Sequence, residues 1–111
     1  MPIRRGDVIT VAVSGDFGKP RPAVVVQSDT FPESHLSVVV CQMTSKLIDG
    51  RSFRITIDPS EANGLRLRSQ VMVDKPMTVL RRRIGTPIGR LAADEMARVD
   101  TAITFVMGLI D

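Results

Sequence analysis

Arg21 is the residue whose type and neighbours most strongly suggest a functional role. It stands between Pro20 and Pro22, where the stretch GDFGKP gives way to the apolar run AVVV. Proline fixes its own φ and restricts the residue before it to extended conformations, so this arginine lies on a stiffened segment. The pattern predicts a cation held at the mouth of a buried strand.

Three further polar groups follow apolar runs. Thr44 and Ser45 come directly after VVVCQM, and Asp74 ends the run SQVMVD. Polar groups at strand ends can converge over one face of a small barrel, but polar residues also bound strands in most proteins. Position alone therefore leaves both a site and ordinary strand ends open for these residues.

Several kinds of chemistry are excluded by residue counts and motifs. The chain has one cysteine, Cys41, inside an apolar run, and one histidine, His35, in a polar loop. They are too few for a zinc site, a disulfide or a histidine-dependent triad, and Cys41 is predicted to be a small buried hydrophobe. No phosphate-binding glycine loop is present, so no metal or cofactor is expected.

Length and composition describe an ordinary globular chain. The 111 residues predict one domain, 1–111, and 43% hydrophobic with 24% charged residues argues against disorder. No apolar run approaches the roughly 20 residues that span a bilayer, and the segment MPIRRGDVIT lacks a secretory apolar core. The expectation is a cytoplasmic protein without a membrane partner.

Positive charge is concentrated in the second half of the chain. Between Arg66 and Arg90 there are seven basic residues and one acid, Asp74. A localised basic stripe suits a polyanion, because neutralised phosphates release counterions. A solvated face and a contact for an acidic protein partner are the alternatives that charge alone leaves open.

The apolar pattern predicts a mainly β protein. Short β-branched runs are separated by loops rich in Gly, Pro, Ser and Asp, which favours a small antiparallel barrel. Lys75-Pro76 is interpreted as a break between two strands. The predicted strands are Asp7–Val13, Pro22–Ser28, Leu36–Met43, Ser52–Ile57, Ser69–Asp74 and Met77–Arg82.

One C-terminal helix is predicted over Leu91–Leu109. Its apolar residues recur at spacings of three and four, and Asp94 and Glu95 fall in the first turn, where the helix dipole favours acids. Packing of the apolar stripe against the barrel is the simpler explanation of this pattern. A seam between two copies of the chain is the other.

Five ordered segments resemble the MazF/PemK family of toxin-antitoxin ribonucleases. They are RRGDVITVAV, GKPRPAVVVQSD, VCQMTS, SQVMVDKPMTV and IGRLAADEMARVDTAITFVMGL. The resemblance covers nearly the whole chain. It implies an SH3-like antiparallel β-barrel with a C-terminal helix, a homodimer, and metal-independent cleavage of single-stranded RNA at short sequences.

The resemblance also implies roles for Arg21 and Thr44. Arg21 matches the arginine that the family uses at the scissile phosphate, and Thr44 matches its threonine partner. The ribose 2′-hydroxyl would attack the adjacent phosphorus, giving a 2′,3′-cyclic phosphate and a 5′-hydroxyl. The forked donors of a guanidinium suit the growing charge on the phosphate oxygens.

The proton acceptor is less directly implied. Some relatives pair an aspartate, matched by Asp74, with an arginine two residues earlier, where this chain has Met72. Asp74 is therefore predicted as a catalytic residue, with a structural role and a role in base recognition as alternatives.

RNA-binding residues are expected around these positions. The loops Ser14–Lys19 and Asp29–His35 would carry specificity, and glutamine amides can read base edges. The expected partners are single-stranded RNA and an antitoxin with an acidic, partly disordered segment. The predicted RNA-binding residues are Lys19, Gln27, Ser28, Gln42, Ser45 and Lys75.

Two other functions remain open at this level. The gyrase-inhibiting toxins of the CcdB type share the barrel, and fold alone does not separate the two activities. A catalytically inactive binding module of the same fold is the other alternative, because Met72 replaces an arginine.

Overall fold

Runs of β-branched residues form a single curled antiparallel sheet that carries one helix. The computed structural model describes residues 2–12, 19–49 and 52–110. A short 3-10 helix, Arg81–Arg83, follows the fifth strand. The other described elements are β1 Asp7–Ala12, β2 Pro20–Val25, β3 Ser37–Thr44, β4 Arg54–Ile57, β5 Ser69–Leu80, β6 Gly89–Arg90 and α1 Ala93–Val106.

The strands are hydrogen-bonded in the order β4-β5-β3-β2-β1-β6, and neighbouring strands in this described sheet are antiparallel. The sheet curls into a half-barrel, with the helix following the last strand. This confirms the predicted fold class, mainly β with a C-terminal helix. Val13, the last residue of the first predicted strand, lies outside the described residues.

Both faces of the central strands are buried, which explains their continuous apolar runs. Val8 and Val24 belong to a cluster beneath the helix, while their neighbours Ile9 and Val25 belong to a second cluster on the opposite face. Each fully buried Val or Ile side chain contributes about 1.5–3 kcal/mol. The two clusters therefore fix the strands that position the site.

The predicted break at Lys75-Pro76 is wrong, because β5 runs through it as one strand. Opposite β3, the register passes from Met43↔Val71 to Cys41↔Pro76. It thus advances two residues on β3 and five on β5, which leaves three extra residues in β5. Pro76 is accommodated at this bulge, where an absent N–H interrupts no regular ladder.

The helix is shorter than predicted, and its apolar stripe packs against its own sheet. Val99 and Ala102 are buried in the cluster beneath the helix, and Met96, Ile103 and Val106 pack against that cluster. The simpler explanation is thereby confirmed for the stripe as far as Val106. Its last residue, Ile110, is at least half exposed, as are Phe105, Met107 and Leu109.

The first turn of the helix is anchored as its acids predict. Glu95 accepts a hydrogen bond from the Ala92 N–H at 2.8 Å. Further along α1, Asp100 forms an ion pair with Arg5 at 2.6 Å, which links the helix to the N-terminal segment. Within the described ranges, no helix is long and apolar enough to cross a membrane.

Candidate functional site

A groove of about 760 Å³ opens where β2 begins and β3 ends. Arg21 with its two flanking prolines lines one side, and Thr44 and Ser45 line the adjacent wall. The segment Gly64–Leu67 and Ile88 close the opposite side. The groove therefore brings together three of the residues predicted from the sequence.

The groove is cationic. Arg21, Lys46 and Arg66 line it, and none of its described lining residues is an aspartate or glutamate. A cleft lined by charges of one sign attracts a polyion of the opposite sign and raises its local concentration. The arrangement is suited to a phosphate backbone.

Arg21 lies within β2, whereas the sequence predicted it just before the strand. It is paired with Val11 of β1, and its flanking residues Pro20 and Pro22 are paired with Ala12 and Thr10. The prolines therefore occupy a strand that β1 holds on one side, and the arginine side chain is exposed.

Strand register brings Arg21 and Thr44 close together. The β2–β3 ladder ends at the pair Ala23↔Gln42. Arg21 on β2 and Thr44 on β3 each lie two residues beyond that pair, in the direction in which both strands line the groove. A forked cation and a hydroxyl thus face the same groove from neighbouring strands.

The Thr44 hydroxyl is held in place by the chain that follows it. Its Oγ1 accepts a hydrogen bond from the Lys46 N–H at 3.1 Å. This bond uses the oxygen as acceptor, so the hydroxyl hydrogen is left to be donated to a ligand. Thr44 can therefore act as a donor to a phosphate oxygen or a ribose.

Gln70 fastens the same segment further along. Its Oε1 accepts from the Ile48 N–H at 3.0 Å, and its Nε2 donates to the Ile48 carbonyl at 3.0 Å and to Thr56 Oγ1 at 3.2 Å. Sequence reasoning missed this residue and Lys46. The available signal was a glutamine between buried positions of the strand SQVMV.

The opposite wall is built on Asn63, which is fully buried. Its Oδ1 accepts from the N–H groups of Ser60 and Leu65, both at 3.0 Å, and its Nδ2 donates to the Asp58 carbonyl. Gly64 follows at φ +71°, and a Cβ there would overlap the Ile88 carbonyl. The turn signal ANG was the sequence evidence for this wall.

Asp74 lies apart from the groove, at the bulge of β5. Thr44 is paired with Gln70, and Asp74 is four residues further along β5. Asp74 does not line the groove, so the structure does not bring it together with Arg21 and Thr44.

The bulge has a second distinguishing feature. Three buried side-chain atoms around it have no hydrogen-bond partner in the part of the chain that the structure describes: Gln42 Nε2, Arg54 Nε and Asp74 Oδ1. Gln42 lies opposite the extra residues, and Arg54 is paired with Met72. An unpaired buried polar atom costs about 1–3 kcal/mol.

The remaining predicted RNA-binding residues are dispersed. Gln27 accepts from the Val39 N–H at 3.2 Å, Ser28 shares a hydrogen bond with Thr30 at 2.8 Å, and both line a separate cavity of about 400 Å³. Lys19 and Lys75 are exposed. Residues 14–18 of the predicted specificity loop lie outside the described residues.

Several cations of the basic stripe are used within the protein. Arg68 pairs with Asp58 at 3.1 Å, and Arg90 pairs with Asp7 at 2.7 Å. Arg81 donates to the His35 carbonyl at 2.9 Å. The stripe is therefore not one uniform surface, and Arg66 is its member in the groove.

Cys41 is buried, as its sequence context predicts. Burial and then the carboxylate of Asp74 raise the pKa of its thiol from 9.0 to about 11, although the cation of Arg5 acts in the opposite direction. The thiol is therefore protonated and unreactive near neutral pH. Within the described ranges, no cluster of three or more His, Cys, Asp or Glu residues could hold a metal ion.

Comparison with known proteins identifies relatives along nearly the whole chain. A family model described as "PemK-like, MazF-like toxin of type II toxin-antitoxin system" matches residues 4–107. The "Probable endoribonuclease MazF" of Mycolicibacterium smegmatis is 40% identical over 108 residues, which cover 96% of this chain and 98% of that protein.

Solved structures share the fold. An "Endoribonuclease in complex with its cognate antitoxin from Mycobacterial species" superposes with a TM-score of 0.82 at 20% identity, over 100% of this chain and 99% of that one. The Mycobacterium tuberculosis toxin MazF-mt6 gives a TM-score of 0.80 at 22% identity, over 95% and 99%.

Proposed function

Because this chain belongs to the PemK-like, MazF-like toxin family of type II toxin-antitoxin systems, we propose that it is a metal-independent endoribonuclease that cuts single-stranded RNA. The observation that carries the proposal is the groove in which Arg21 and Thr44 lie side by side. Its described lining includes three cationic side chains and no carboxylate. A phosphate backbone is the ligand that such a lining attracts.

In the proposed reaction, the ribose 2′-hydroxyl attacks the adjacent phosphorus and the bond from phosphorus to the 5′-oxygen breaks. The 2′-hydroxyl loses its proton as it attacks and the departing 5′-oxygen gains one, so the products are a 2′,3′-cyclic phosphate and a 5′-hydroxyl. Arg21 donates to the non-bridging oxygens as their charge grows, and Thr44 donates from the adjacent strand. A preorganised donor in such a position contributes roughly 2.7–4 kcal/mol.

Asp74 has a different place in the proposal. It lies at the bulge of β5 and does not line the groove that holds Arg21 and Thr44. A general base must come within hydrogen-bond reach of the reacting hydroxyl, whereas a contact to a neighbouring nucleotide can be made from outside the groove. Recognition of a neighbouring nucleotide, together with Gln42 and Lys75, therefore fits its position better than the role of general base.

The proposed partners are a second copy of the chain and an antitoxin. One of the similar structures is an endoribonuclease in complex with its cognate antitoxin from a Mycobacterial species, and another is MazE-MazF from Deinococcus radiodurans. The exposed apolar side chains at the end of α1 suit a homodimer contact, and the cationic groove suits an acidic, disordered segment. We place the single domain, 1–111, in the cytoplasm, where its RNA substrate is found.

The gyrase-inhibiting alternative is not supported, because the relative with 40% identity is named as an endoribonuclease. The other alternative, a catalytically inactive binding module, depended on the presence of Met72 in place of an arginine. Met72 is paired with Arg54 on β4, outside the groove that holds Arg21 and Thr44. Its lack of a charge leaves that groove unchanged.

The test is incubation of the purified protein with a long RNA in EDTA, followed by analysis of the new ends. We expect 2′,3′-cyclic phosphate and 5′-hydroxyl ends at a short recurring sequence. Absence of cleavage by the folded protein would overturn the proposal. Ends with a 5′-phosphate, or inhibition by EDTA, would replace its chemistry with water attack or metal catalysis.

A further inference from the structure

Gln70 is buried beneath the groove wall without lining the groove. It is 4% exposed, and it is paired with Thr44 on one neighbouring strand and with Thr56 on the other. A buried amide must find partners for its two N–H groups and its oxygen. What those partners are decides what the residue does.

Its main partner is the backbone of Ile48. Both the N–H and the carbonyl of Ile48 are bonded to the amide, each at 3.0 Å, as a neighbouring strand would bond them. Ile48 itself lies beyond the end of β3, where no strand ladder is available to it. The glutamine side chain thus replaces a missing strand for one residue.

The segment between Thr44 and Ile48 lies at the surface of the protein. Leu47 is 45% exposed and Ile48 is 41% exposed, so neither is anchored by a packed core. The segment carries Ser45 and Lys46, which line the groove. Its two described attachments are the Thr44–Lys46 bond at one end and the Gln70 amide at the other.

We propose that Gln70 is a positioning residue for the reaction: it holds the Thr44–Ile48 wall in register, so that the Thr44 hydroxyl and the Lys46 cation face the scissile phosphate. This proposal rests on the proposed function. Small misplacements of groups around a reacting centre can reduce the rate about 100-fold. The residue acts through Thr44 and touches no substrate.

Replacement of Gln70 by glutamate separates this role from general packing. An ionised carboxylate accepts from the Ile48 N–H but cannot donate to the Ile48 carbonyl, so one bond becomes a repulsion. A protonated carboxyl can do both, which restores the pair. Burial raises the pKa of such a carboxyl, so protonation falls within an accessible pH range.

The experiment measures single-turnover cleavage of a short RNA and binding of the same RNA with deoxyribose at the cleavage position. Wild-type cleavage of the RNA establishes the proposed function first. For Gln70→Met we expect the cleavage rate at saturating RNA to fall 10- to 100-fold, with binding changed less than threefold. In a Thr44→Ala background the same replacement should cost less than threefold.

The Gln70→Glu variant should be impaired at pH 8 and should recover relative to wild type as the pH falls. Val8→Ala, which truncates a buried core side chain that does not line the groove, controls for lost stability and should lose much less activity than Gln70→Met. Hydrogen exchange at the Ile48 amide should be faster in both Gln70 variants.

Three results would overturn the proposal while leaving the proposed function intact. They are wild-type cleavage by Gln70→Met, an equal loss with and without Thr44, and a rate loss in Val8→Ala as large as that in Gln70→Met at matched melting temperature. If Gln70→Met fails to fold, the pH dependence of Gln70→Glu decides alone. A Gln70→Glu variant whose rate relative to wild type is constant with pH would then count against the proposal.

Discussion

The groove and the bulge of β5 are both polar regions of the same sheet, yet their polar groups are satisfied very differently. Around the groove, Thr44, Gln70 and Asn63 form hydrogen bonds that hold both walls. At the bulge, buried atoms of Gln42, Arg54 and Asp74 have no partner.

The groove and the bulge are therefore suited to different chemical roles. Walls fixed by internal bonds present a preorganised surface, which is what stabilisation of a transition state needs. Unpaired buried groups persist at a cost, and a bound ligand can relieve that cost. We therefore propose the groove as the place for the reaction and the bulge as the place for recognition of an adjacent nucleotide.

Arg21→Ala provides the strongest test of the groove. We expect cleavage to fall at least 100-fold, because a forked donor to the phosphate is lost while the exposed position leaves the fold intact. Arg21→Lys should also be severely impaired, since an ammonium group cannot reproduce the two-pronged contact. Cleavage assays on protein with a wild-type circular dichroism spectrum check both. Near-normal cleavage by either folded variant would remove Arg21 from the reaction.

Thr44→Ala should have the next largest effect. We expect a loss of about tenfold in the cleavage rate with little change in RNA binding, because a hydrogen bond that improves toward the transition state affects rate more than affinity. The Lys46 N–H also loses its acceptor. Equal losses in rate and in binding of the deoxy-substituted RNA would show that Thr44 holds the substrate and does not act in the reaction.

The sequence predicted the groove better than the bulge. Arg21 and Thr44 were recognised from local pattern and from resemblance, because their positions follow from strand order and strand ends. Gln70 and Asn63 were not, since their roles arise from contacts with Ile48 and Leu65 that only the folded chain creates. The bulge was misread because Pro76 usually ends a strand, whereas here three extra residues accommodate it.

Asp74→Asn distinguishes the two regions directly. If the bulge recognises a neighbouring nucleotide, cleavage should fall only a few-fold on average, with a changed preference at one position of the RNA. The pH dependence of the rate should stay that of wild type. A loss as large as that of Arg21→Ala, together with loss of the ascending limb of the pH profile, would instead make Asp74 the general base.

A general-base role for Asp74 would also require the region around the bulge to approach the groove when RNA binds. Gln42→Leu is the matched companion, because Gln42 shares the bulge and does not titrate. We expect it to change sequence preference in the same way as Asp74→Asn. A preference altered by only one of the two variants would divide the bulge into separate contacts.

The smallest effect is expected at Cys41, which is paired with Pro76 beside the bulge. Its thiol has a pKa of 9.0 when unperturbed and about 11 in the folded protein, so the folded state retains the proton more strongly. The stabilising contribution is complete below pH 9 and is lost as the pH rises toward 11. It amounts to about 3 kcal/mol at most, at 1.36 kcal/mol per pKa unit.

Denaturant unfolding of wild type and Cys41→Ala between pH 8 and pH 11 measures this contribution. The chain has no tyrosine, so lysines are the main other groups that titrate there, and they are common to both proteins. We expect the free energy of unfolding to fall more steeply for wild type, with no difference in RNA cleavage at neutral pH. Parallel pH dependences would mean that the thiol is not desolvated in the folded protein, and that the packing around the bulge is looser than its buried atoms indicate.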